Sequence, residues 1–307
     1  MSATISSRCL PSPEFATFTE SSFFSRNGPD AQLPLPEDVR ARSATQSKWT
    51  QTGVQPARFQ ELGLVVKFGR APRVTVAEGQ CLWALRRALP NFPVPEIYGW
   101  THDGGDVFIY MELLHGVTLE ERWETLGQTE RSSICAQLRV LVTSLRSLQQ
   151  TPDDESFLGH VNREPLGDII FTDNETRPPA GPFQSVAEFH DWLSLQIRTG
   201  LEVHWPGKQP CEIPDPYRDG LPDDAAVTFT HGDLHPSNII ISVDSPCRIV
   251  ALIDWRQSGW YPDYWEACKA YYTAEVGGEW MEKYIPLFID EPACIDAFDD
   301  YARAFGY

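Results

Sequence analysis

The chain has 307 residues, 42% of them hydrophobic, and carries a formal net charge of −18 at pH 7. This length suits one large domain or two lobes that share a cleft, and the apolar content suffices for a core. The charge argues against nucleic acid and anionic membranes as partners, and no apolar run approaches the length of a transmembrane helix. Seven dispersed cysteines without a C-x-x-C pair predict reduced thiols in a cytoplasmic protein rather than a disulfide framework or a zinc site.

The first regular elements follow a weakly periodic N-terminal segment. The β-prone run Leu64–Phe68 predicts a strand, and Val107–Met111 predicts another that leads into a connector, Glu112–Gly116. Between the two strands, apolar residues at helical spacing predict a helix over Thr75–Leu89, which the prolines after it terminate.

Beyond the connector, the chain is mostly helical, with short strands near its middle. Amphipathic periodicity predicts helices over Thr129–Gln149 and Ser185–Thr199, followed by a loop region rich in Pro and Asp over residues 200–222. In chain order, the remaining elements are predicted as strands Val227–Thr230, Ile239–Ile241 and Ile249–Ile253 and helices Asp263–Val276, Glu279–Phe288 and Pro292–Phe305.

This order of elements predicts an α+β protein in three parts. Residues 1–45 are rich in Ser, Thr and Pro, which predicts an irregular extension with a single short helix. Residues 46–111 form a small β-rich N-lobe, and residues 112–307 form a larger, mostly helical C-lobe.

Two aspartates and an asparagine lie in loops beside the predicted central strands. Asn238 follows Asp233 by five residues, and Asp254 follows sixteen residues later. This spacing is typical of sites that transfer the γ-phosphoryl group of a nucleotide. Such a transfer needs alignment of the reactants and neutralisation of charge more than covalent help from the protein. Asp233 is placed to orient an acceptor hydroxyl and take its proton, and Asn238 and Asp254 offer the oxygen ligands that Mg²⁺ prefers. We expect His235 to contact the transferring phosphate and His231 to orient the loop through backbone hydrogen bonds.

A lysine in the first predicted strand is the second candidate. Lys67 lies in the middle of an apolar run, where its charge is costly unless it is used. Glu78, eleven residues on, lies in the first turns of the predicted helix and can hold Lys67 against nucleotide phosphates. The structural alternative is a lysine that extends its ammonium into solvent beside an unrelated glutamate.

Other interpretations of the central loop stay open. Taken singly, Asp233 and Asn238 are residues typical of local turns and caps. The run His231-x-Asp233-x-His235 is also typical of a metal-ligand set, which would make the protein a metal-dependent hydrolase. That hypothesis leaves the lysine–glutamate pair without a role. A further hypothesis is a catalytically silent kinase-like module that binds a ligand or partner without transfer.

Several short motifs, which include these residues, are distributed over about residues 62–307. They are Val65–Gly69, Glu78, Val94–Gly99, Met111–Glu112, His231–Asn238 and Ile253–Trp255. Together they resemble the aminoglycoside phosphotransferase and choline kinase branch of the protein-kinase-like fold, and the run Gly259–Glu266 resembles fungal members of that family.

The resemblance implies a two-lobed kinase that uses ATP and Mg²⁺ to phosphorylate a hydroxyl of a small molecule. In such a kinase Asp233 would be the base, and Asn238 and Asp254 would bind Mg²⁺. Lys67 with Glu78 would fix the phosphates, and backbone groups of Glu112 and Leu114 in the connector would meet the adenine.

The sequence departs from the family pattern at two places. No Gly-rich phosphate loop precedes Lys67, since only Gly53 and Gly63 are available and residues 48–61 lack the G-x-G-x-x-G spacing. Arg256 follows the Asp-Trp pair where family members commonly carry an acidic residue. Its side chain either compensates phosphate charge or extends into solvent.

The acceptor is predicted only as a small molecule with a hydroxyl group, and the acidic composition is compatible with a cationic one. Aromatic faces can hold a cationic amine, and nearby acids would assist. The candidates are the aromatics Trp255, Trp260, Tyr261, Tyr264 and Trp265 with Asp263 and Glu266, and the loop acids Asp215, Asp219, Asp223 and Asp224. Ordinary packing of the aromatics and solvation of the loop acids are the simpler interpretations.

Overall fold

The computed structural model describes residues 3–46, 55–152, 155–172, 177–201 and 204–306. Its strands are β1 (Thr4–Ile5), β2 (Ala16–Thr17), β3 (Gln55–Phe59), β4 (Leu64–Gly69), β5 (Ile97–Asp103), β6 (Asp106–Glu112), β7 (Val117–Thr118), β8 (Gln149–Gln150), β9 (Val227–Thr230), β10 (Ile239–Ile241), β11 (Ile249–Leu252) and β12 (Gly259–Pro262). Its helices are α1 (Ser22–Asn27), α2 (Pro36–Gln46), α3 (Val76–Ala88), α4 (Leu119–Arg122), α5 (Gln128–Arg146), α6 (Ile169–Thr172), α7 (Val186–Gly200), α8 (Trp265–Tyr272), α9 (Ile285–Phe288) and α10 (Ile295–Ala304). The α+β class is therefore confirmed.

Most predicted elements lie where the sequence places them. The helix predicted over Thr75–Leu89 is α3, with those two residues as its caps. The helix predicted to begin at Asp263 begins instead at Trp265, because Asp263 and Tyr264 form a turn that follows β12. A glycine and a proline bound this strand, and both are poor strand formers, which explains why the sequence pattern misses it.

The chain divides into two compact units. The first, called here the helical unit, comprises Met1–Ser7, Leu126–His235 and Gln257–Tyr307. The second, called here the sheet unit, comprises Arg8–Thr125 and Pro236–Arg256. The sheet unit thus includes residues 8–45 of the predicted N-terminal extension. It also includes the connector and the hairpin of β10 and β11, which we predicted in the C-lobe.

The sheet unit is built on a five-stranded antiparallel sheet with the strand order β2-β5-β6-β4-β3. Residues 8–46 are not the irregular extension that their composition predicts. They supply β2 at one edge of the sheet, and α1 and α2 bury Phe23, Phe24 and Val39 against one sheet face. Ala31 and Leu33 pack against the same core, so buried apolar side chains order this segment although most of its residues are polar or exposed.

Side chains alternate in burial along β4, and this alternation shows which of them face the core and which face the opposite side of the sheet. Leu64, Val66 and Phe68 are buried in the core beneath α1 and α2. Val65 and Lys67 therefore point to the opposite face, because successive side chains of a strand alternate. A second, three-stranded sheet with the order β11-β10-β7 also belongs to this unit.

The helical unit contains the short antiparallel pair β9 and β12, with Gly259 opposite Thr230 and Pro262 opposite Val227. Its core is rich in aromatic side chains, among them Phe171, Phe189 and Trp265. Within the described ranges, no helix is both long and apolar enough to cross a membrane. The seven cysteines are free thiols.

Candidate functional site

A cleft of about 740 Å³ opens on the sheet unit. This volume lies within the range of small-molecule and nucleotide sites. Its lining comes from β3 and β4, from the connector, and from the ends of β10 and β11. The polar residues that line it are Arg58, Gln60, Lys67, Glu78, Glu112, His115, Thr118, Glu121, Asn238 and Asp254.

Lys67 makes two ion pairs in this cleft. Its Nζ lies 2.8 and 2.7 Å from the two carboxylate oxygens of Glu78 and 2.6 Å from Oδ1 of Asp254. The side chain of Glu78 is buried, whereas that of Asp254 is 43% exposed. Burial alone would lower the pKa of Lys67, but the charges of Glu78 and Asp254 outweigh it and raise that pKa above its usual value. Lys67 is therefore a fixed cation in the cleft.

Asn238 and Asp254 come together at the ends of β10 and β11. Ile239 pairs with Leu252, and the N–H of Ile253 donates to the carbonyl oxygen of Asn238 at 2.9 Å. Asp254 has a φ of 62°, a left-handed conformation that is uncommon for residues other than glycine. Strained backbone of this kind is concentrated at functional sites.

The two side chains fit a magnesium site. Mg²⁺ prefers oxygen ligands and is commonly bound by one or two protein side chains together with water and substrate phosphates. Asn238 offers an amide oxygen and Asp254 a carboxylate, and both line the cleft beside Lys67. The donor set therefore suits a hard cation that is shared with a phosphate-bearing ligand.

The connector runs along the edge of the same cleft. The N–H of Glu112 donates to the carbonyl of Glu96 at 2.8 Å, and the N–H of Leu113 donates to the carbonyl of Gly63 at 3.0 Å. These bonds extend the sheet beyond β6 and fix the backbone of the connector. Glu112 and Leu114 both line the cleft, as an adenine-binding connector requires.

Asp233 lies in a loop of the helical unit whose backbone is fixed by a buried carboxylate. Glu266 in α8 accepts the N–H of His231 at 2.6 Å and the N–H of Gly232 at 3.0 Å. Burial raises the pKa of Glu266 to about 7, against the opposing effect of these two hydrogen bonds and of the Arg146 charge. The charge of Asp233 adds to the rise. The sequence pattern indicates Glu266 only as an aid to acceptor binding and does not predict this contact.

A buried polar network supports the loop from its other side. Gly232 has a φ of 79°, and a Cβ added there would lie 2.8 Å from the carbonyl oxygen of Gln257. The Gln257 side chain accepts hydrogen bonds from the N–H of Ile169 at 2.9 Å and from Lys269 at 3.3 Å. Lys269 pairs with Asp168 at 2.8 Å, and both side chains have no solvent exposure.

The two histidines of the loop differ in their environment. His231 is buried, and its Nδ1 accepts the backbone N–H of Asp233 at 3.2 Å. It thus orients the loop, as its position in the sequence predicts. His235 is partly exposed. Over the part of the chain that the structure describes, these residues do not form a metal-ligating group of three, so the geometry gives no support to the hydrolase hypothesis.

Most of the residues considered for an acceptor amine make contacts within the protein, whereas Asp219 and Asp224 are exposed. Trp255, Trp260, Tyr261, Tyr264 and Trp265 are all buried, as ordinary packing predicts, and of these five only Trp255 also contributes to the lining of the cleft. Two of the loop acids are also used within the helical unit. Asp223 pairs with His190 and Arg218, and Asp215 accepts a hydrogen bond from Tyr301.

The two departures from the family pattern have different outcomes. Arg256 is partly buried, and its charge lowers the pKa of Glu78, although burial raises that pKa overall. Arg256 therefore adds positive charge near the ion pairs of Lys67 with Glu78 and Asp254. The expected position of a phosphate loop, including Gly53, falls on residues 47–54, which lie outside the described residues.

Comparison with known proteins gives one family. The profile of the phosphotransferase enzyme family (APH) matches residues 58–298. A comparison with curated protein sequences finds no match.

Solved structures with a similar fold include several aminoglycoside phosphotransferases. A streptomycin–ATP–APH(2″)-IIa ternary complex shares 11% identity at a TM-score of 0.54, over 88% of this chain and 87% of that one. An aminoglycoside-3′-phosphotransferase of type VIII shares 19% identity at a TM-score of 0.46, over 83% and 82%. APH(3″)-Id from Streptomyces rimosus, with ADP and streptomycin, shares 14% at 0.44, over 89% and 92%. At these identities the likeness concerns the fold alone.

Proposed function

Because this chain belongs to the phosphotransferase enzyme family, we propose that it transfers the γ-phosphoryl group of ATP to a hydroxyl of a small molecule in a Mg²⁺-dependent reaction. The observation that carries the proposal is the position of Lys67. Its ammonium lies between Glu78 and Asp254 in a cleft of nucleotide size. The ammonium is mostly withdrawn from water, which carries a desolvation cost, and a role in binding phosphates accounts for a cation kept at this place.

The cleft residues have the following roles in this proposal. Lys67 donates to the nucleotide phosphates, and Glu78 holds its ammonium in place. Asn238 and Asp254 would hold Mg²⁺, which neutralises charge on the phosphates when it is bound. The backbone at Glu112 and Leu114 meets the adenine. The arrangement aligns the phosphates rather than supplying a covalent intermediate.

Asp233 has the chemical role at the acceptor. Its carboxylate accepts a hydrogen bond from the acceptor hydroxyl and takes the proton as the oxygen attacks the γ-phosphorus. The bond between this phosphorus and the β,γ-bridging oxygen breaks, and ADP leaves. We assign His235 to the transferring phosphate group, as its place two residues after Asp233 suggests.

The class of acceptor follows from the family only in outline. The streptomycin–ATP–APH(2″)-IIa complex, a solved structure with a similar fold, contains streptomycin, which is consistent with a hydroxylated small molecule as acceptor. We therefore expect an amino-alcohol, an aminocyclitol, a sugar or a related hydroxylated metabolite. The protein is expected to act in the cytoplasm, where ATP and reduced thiols are available.

ADP release across a panel of such acceptors tests the proposal. ATP and Mg²⁺ are supplied with each acceptor, and omission of the acceptor gives the background. Acceptor-dependent ADP release together with a phosphorylated product, detected by mass spectrometry, would establish the activity. ATP binding without release for any acceptor class would favour the binding-only hypothesis. Absence of ATP binding would contradict the proposal.

A further inference from the structure

The residue that faces the cleft from the edge strand β3 is an arginine. Exposure alternates along β3, with Ala57 and Phe59 buried and Pro56, Arg58 and Gln60 exposed. Ala57 and Phe59 belong to the core beneath α1 and α2. Arg58 therefore points to the opposite face, and it lines the cleft together with Lys67.

The register of the sheet places Arg58 between the two ends of the cleft. Arg58 lies directly opposite Val65, whereas Pro56 lies opposite Lys67. Side chains that face each other across an antiparallel pair lie about 5 Å apart, and two residues along a strand span about 7 Å. Leu64 pairs with Glu112, so the step from Lys67 to Val65 leads from the phosphate end towards the connector. Arg58 thus lies above the part of the cleft that a purine base would occupy.

The backbone of Arg58 is fixed by a side chain at the outer edge of the strand. The amide of Gln46, the last residue of α2, donates to the carbonyl of Arg58 at 2.7 Å and accepts its N–H at 2.8 Å. These two hydrogen bonds replace the backbone hydrogen bonds that a neighbouring strand would make with Arg58 at the edge of the sheet. The backbone from which the Arg58 side chain extends into the cleft is therefore held in place.

The chemistry of the guanidinium group suits a base rather than a carboxylate at this place. No carboxylate forms an ion pair with Arg58 among the residues that the structure describes. A guanidinium is planar and weakly hydrated, and it stacks readily on aromatic faces. The apolar side chains of Ile240 and Ile253 line the same cleft and can contact the other face of a flat ring.

We infer that Arg58 stacks its guanidinium on the purine base of the nucleotide and so helps to determine base affinity. This inference rests on the proposed function, because it requires a nucleotide in the cleft. It assigns to one side chain of β3 a contact that is independent of the phosphates. The contact is therefore testable with a ligand that has no phosphate.

The test measures the affinities of adenosine and ATP by calorimetry for the parent protein, Arg58→Ala and Arg58→Lys. Arg58→Ala is expected to weaken both ligands by a similar factor, about 2- to 30-fold. Arg58→Lys keeps the charge but loses the plane, so it is expected to weaken adenosine nearly as much. Arg70→Ala is the matched control, since its side chain is 78% exposed just after β4. It should bind both ligands like the parent.

Three results would overturn the inference while the proposed function stands. Weaker ATP binding with unchanged adenosine binding would place the guanidinium at the phosphates. Parent-like adenosine affinity in Arg58→Lys would show that charge, not stacking, matters. Unchanged binding of both ligands in Arg58→Ala would remove the contact altogether while leaving the proposed function intact. A parent protein that binds neither ligand would contradict both proposals at once.

Discussion

The carboxylate of Glu266 accepts the backbone N–H of Gly232 at 3.0 Å, and with it the N–H of His231. A side chain of α8 thereby fixes the loop that presents Asp233. Glu266 is almost completely buried, so the orientation of the loop depends on a carboxylate that water does not reach. The position of the proposed base is thus set by residues that need not touch a substrate.

Glu266→Gln should lower turnover at pH 8, where the parent carboxyl is ionised, because an amide can accept only one of the two N–H groups well. Its NH₂ group would face the other N–H donor, so the loop that presents Asp233 would shift. A displacement of the base by about 1 Å can lower the rate on the order of 100-fold. We expect kcat to fall and the Kd for ATP to stay near the parent value. An unchanged kcat would show that the loop keeps its geometry without the carboxylate.

The same substitution should change how stability depends on pH. Burial raises the pKa of Glu266 to about 7. Glutamate in an unfolded chain has a pKa of about 4.3. Between this pH and about pH 7, the folded protein keeps a proton on Glu266 that the unfolded chain has released. The Glu266 contribution to stability is therefore greatest below that lower pKa and declines as pH rises to about 7.

Glu266→Gln lacks this titration. The free energy of unfolding of the parent, relative to the variant, should decline by at most about 1.4 kcal/mol per pH unit across this window. Urea denaturation of both proteins from pH 5 to pH 8 measures the difference. A difference that is constant or rises with pH would contradict the environment described for Glu266.

Gly232→Ala should impair activity for a steric reason. The added Cβ would lie 2.8 Å from the Gln257 carbonyl oxygen, and the φ of 79° is unfavourable for alanine. We expect turnover to fall on the order of 100-fold as the loop shifts. Gly105→Ala is the control, because Gly105 has a φ of 86° but open space around it. If both variants lose activity equally, the contact with Gln257 has no special role.

Breaking the buried ion pair of the helical unit should cost stability. Asp168→Asn leaves Lys269 without a charged partner in a site with no solvent exposure, a change that typically costs about 3–5 kcal/mol. The double variant Asp168→Asn/Lys269→Met should regain part of this loss. Arg303→Ala breaks only exposed pairs and should cost less than about 1 kcal/mol. Equal losses in the buried and exposed variants, measured in urea, would refute this assignment.

Lys67→Met should weaken ATP binding. Charge-assisted hydrogen bonds contribute about 1.5–3 kcal/mol, so the Kd for ATP is expected to rise about 10- to 150-fold. Glu78→Gln should have a smaller effect, because Lys67 keeps its contact with Asp254. Lys283→Met, at an exposed site in the helical unit, is the control. A parent-like ATP affinity in Lys67→Met would remove the lysine from the phosphate site.

The sequence predicts well what local pattern determines. The pairing of Lys67 with Glu78 follows from a strand, a helix and their spacing, and the structure brings the two side chains to 2.7 Å. Asn238 and Asp254 are both next to apolar runs that pair as β10 and β11, so their proximity also follows from local elements. In each case the neighbours in space are neighbours in a short stretch of regular structure.

Contacts that depend on tertiary packing are not visible in the sequence. Nothing local distinguishes Glu266 from the exposed acids nearby, and only burial against the loop of Asp233 reveals its role. Asp168 and Lys269 are separated by 101 residues and meet only in the folded core. The polar composition of residues 8–46 hides the few apolar side chains that order this segment against the sheet.

The most direct test of the account compares the parent protein with Asp233→Asn, using an acceptor that supports ADP release. We expect the variant to lose acceptor phosphorylation by several orders of magnitude while its Kd for ATP stays within about threefold of the parent. Phosphorylated product is measured by mass spectrometry and ATP binding by calorimetry on the same preparations. Parent-like phosphorylation by Asp233→Asn would contradict the account. Loss of ATP binding in step with activity would remove Asp233 from the role of base.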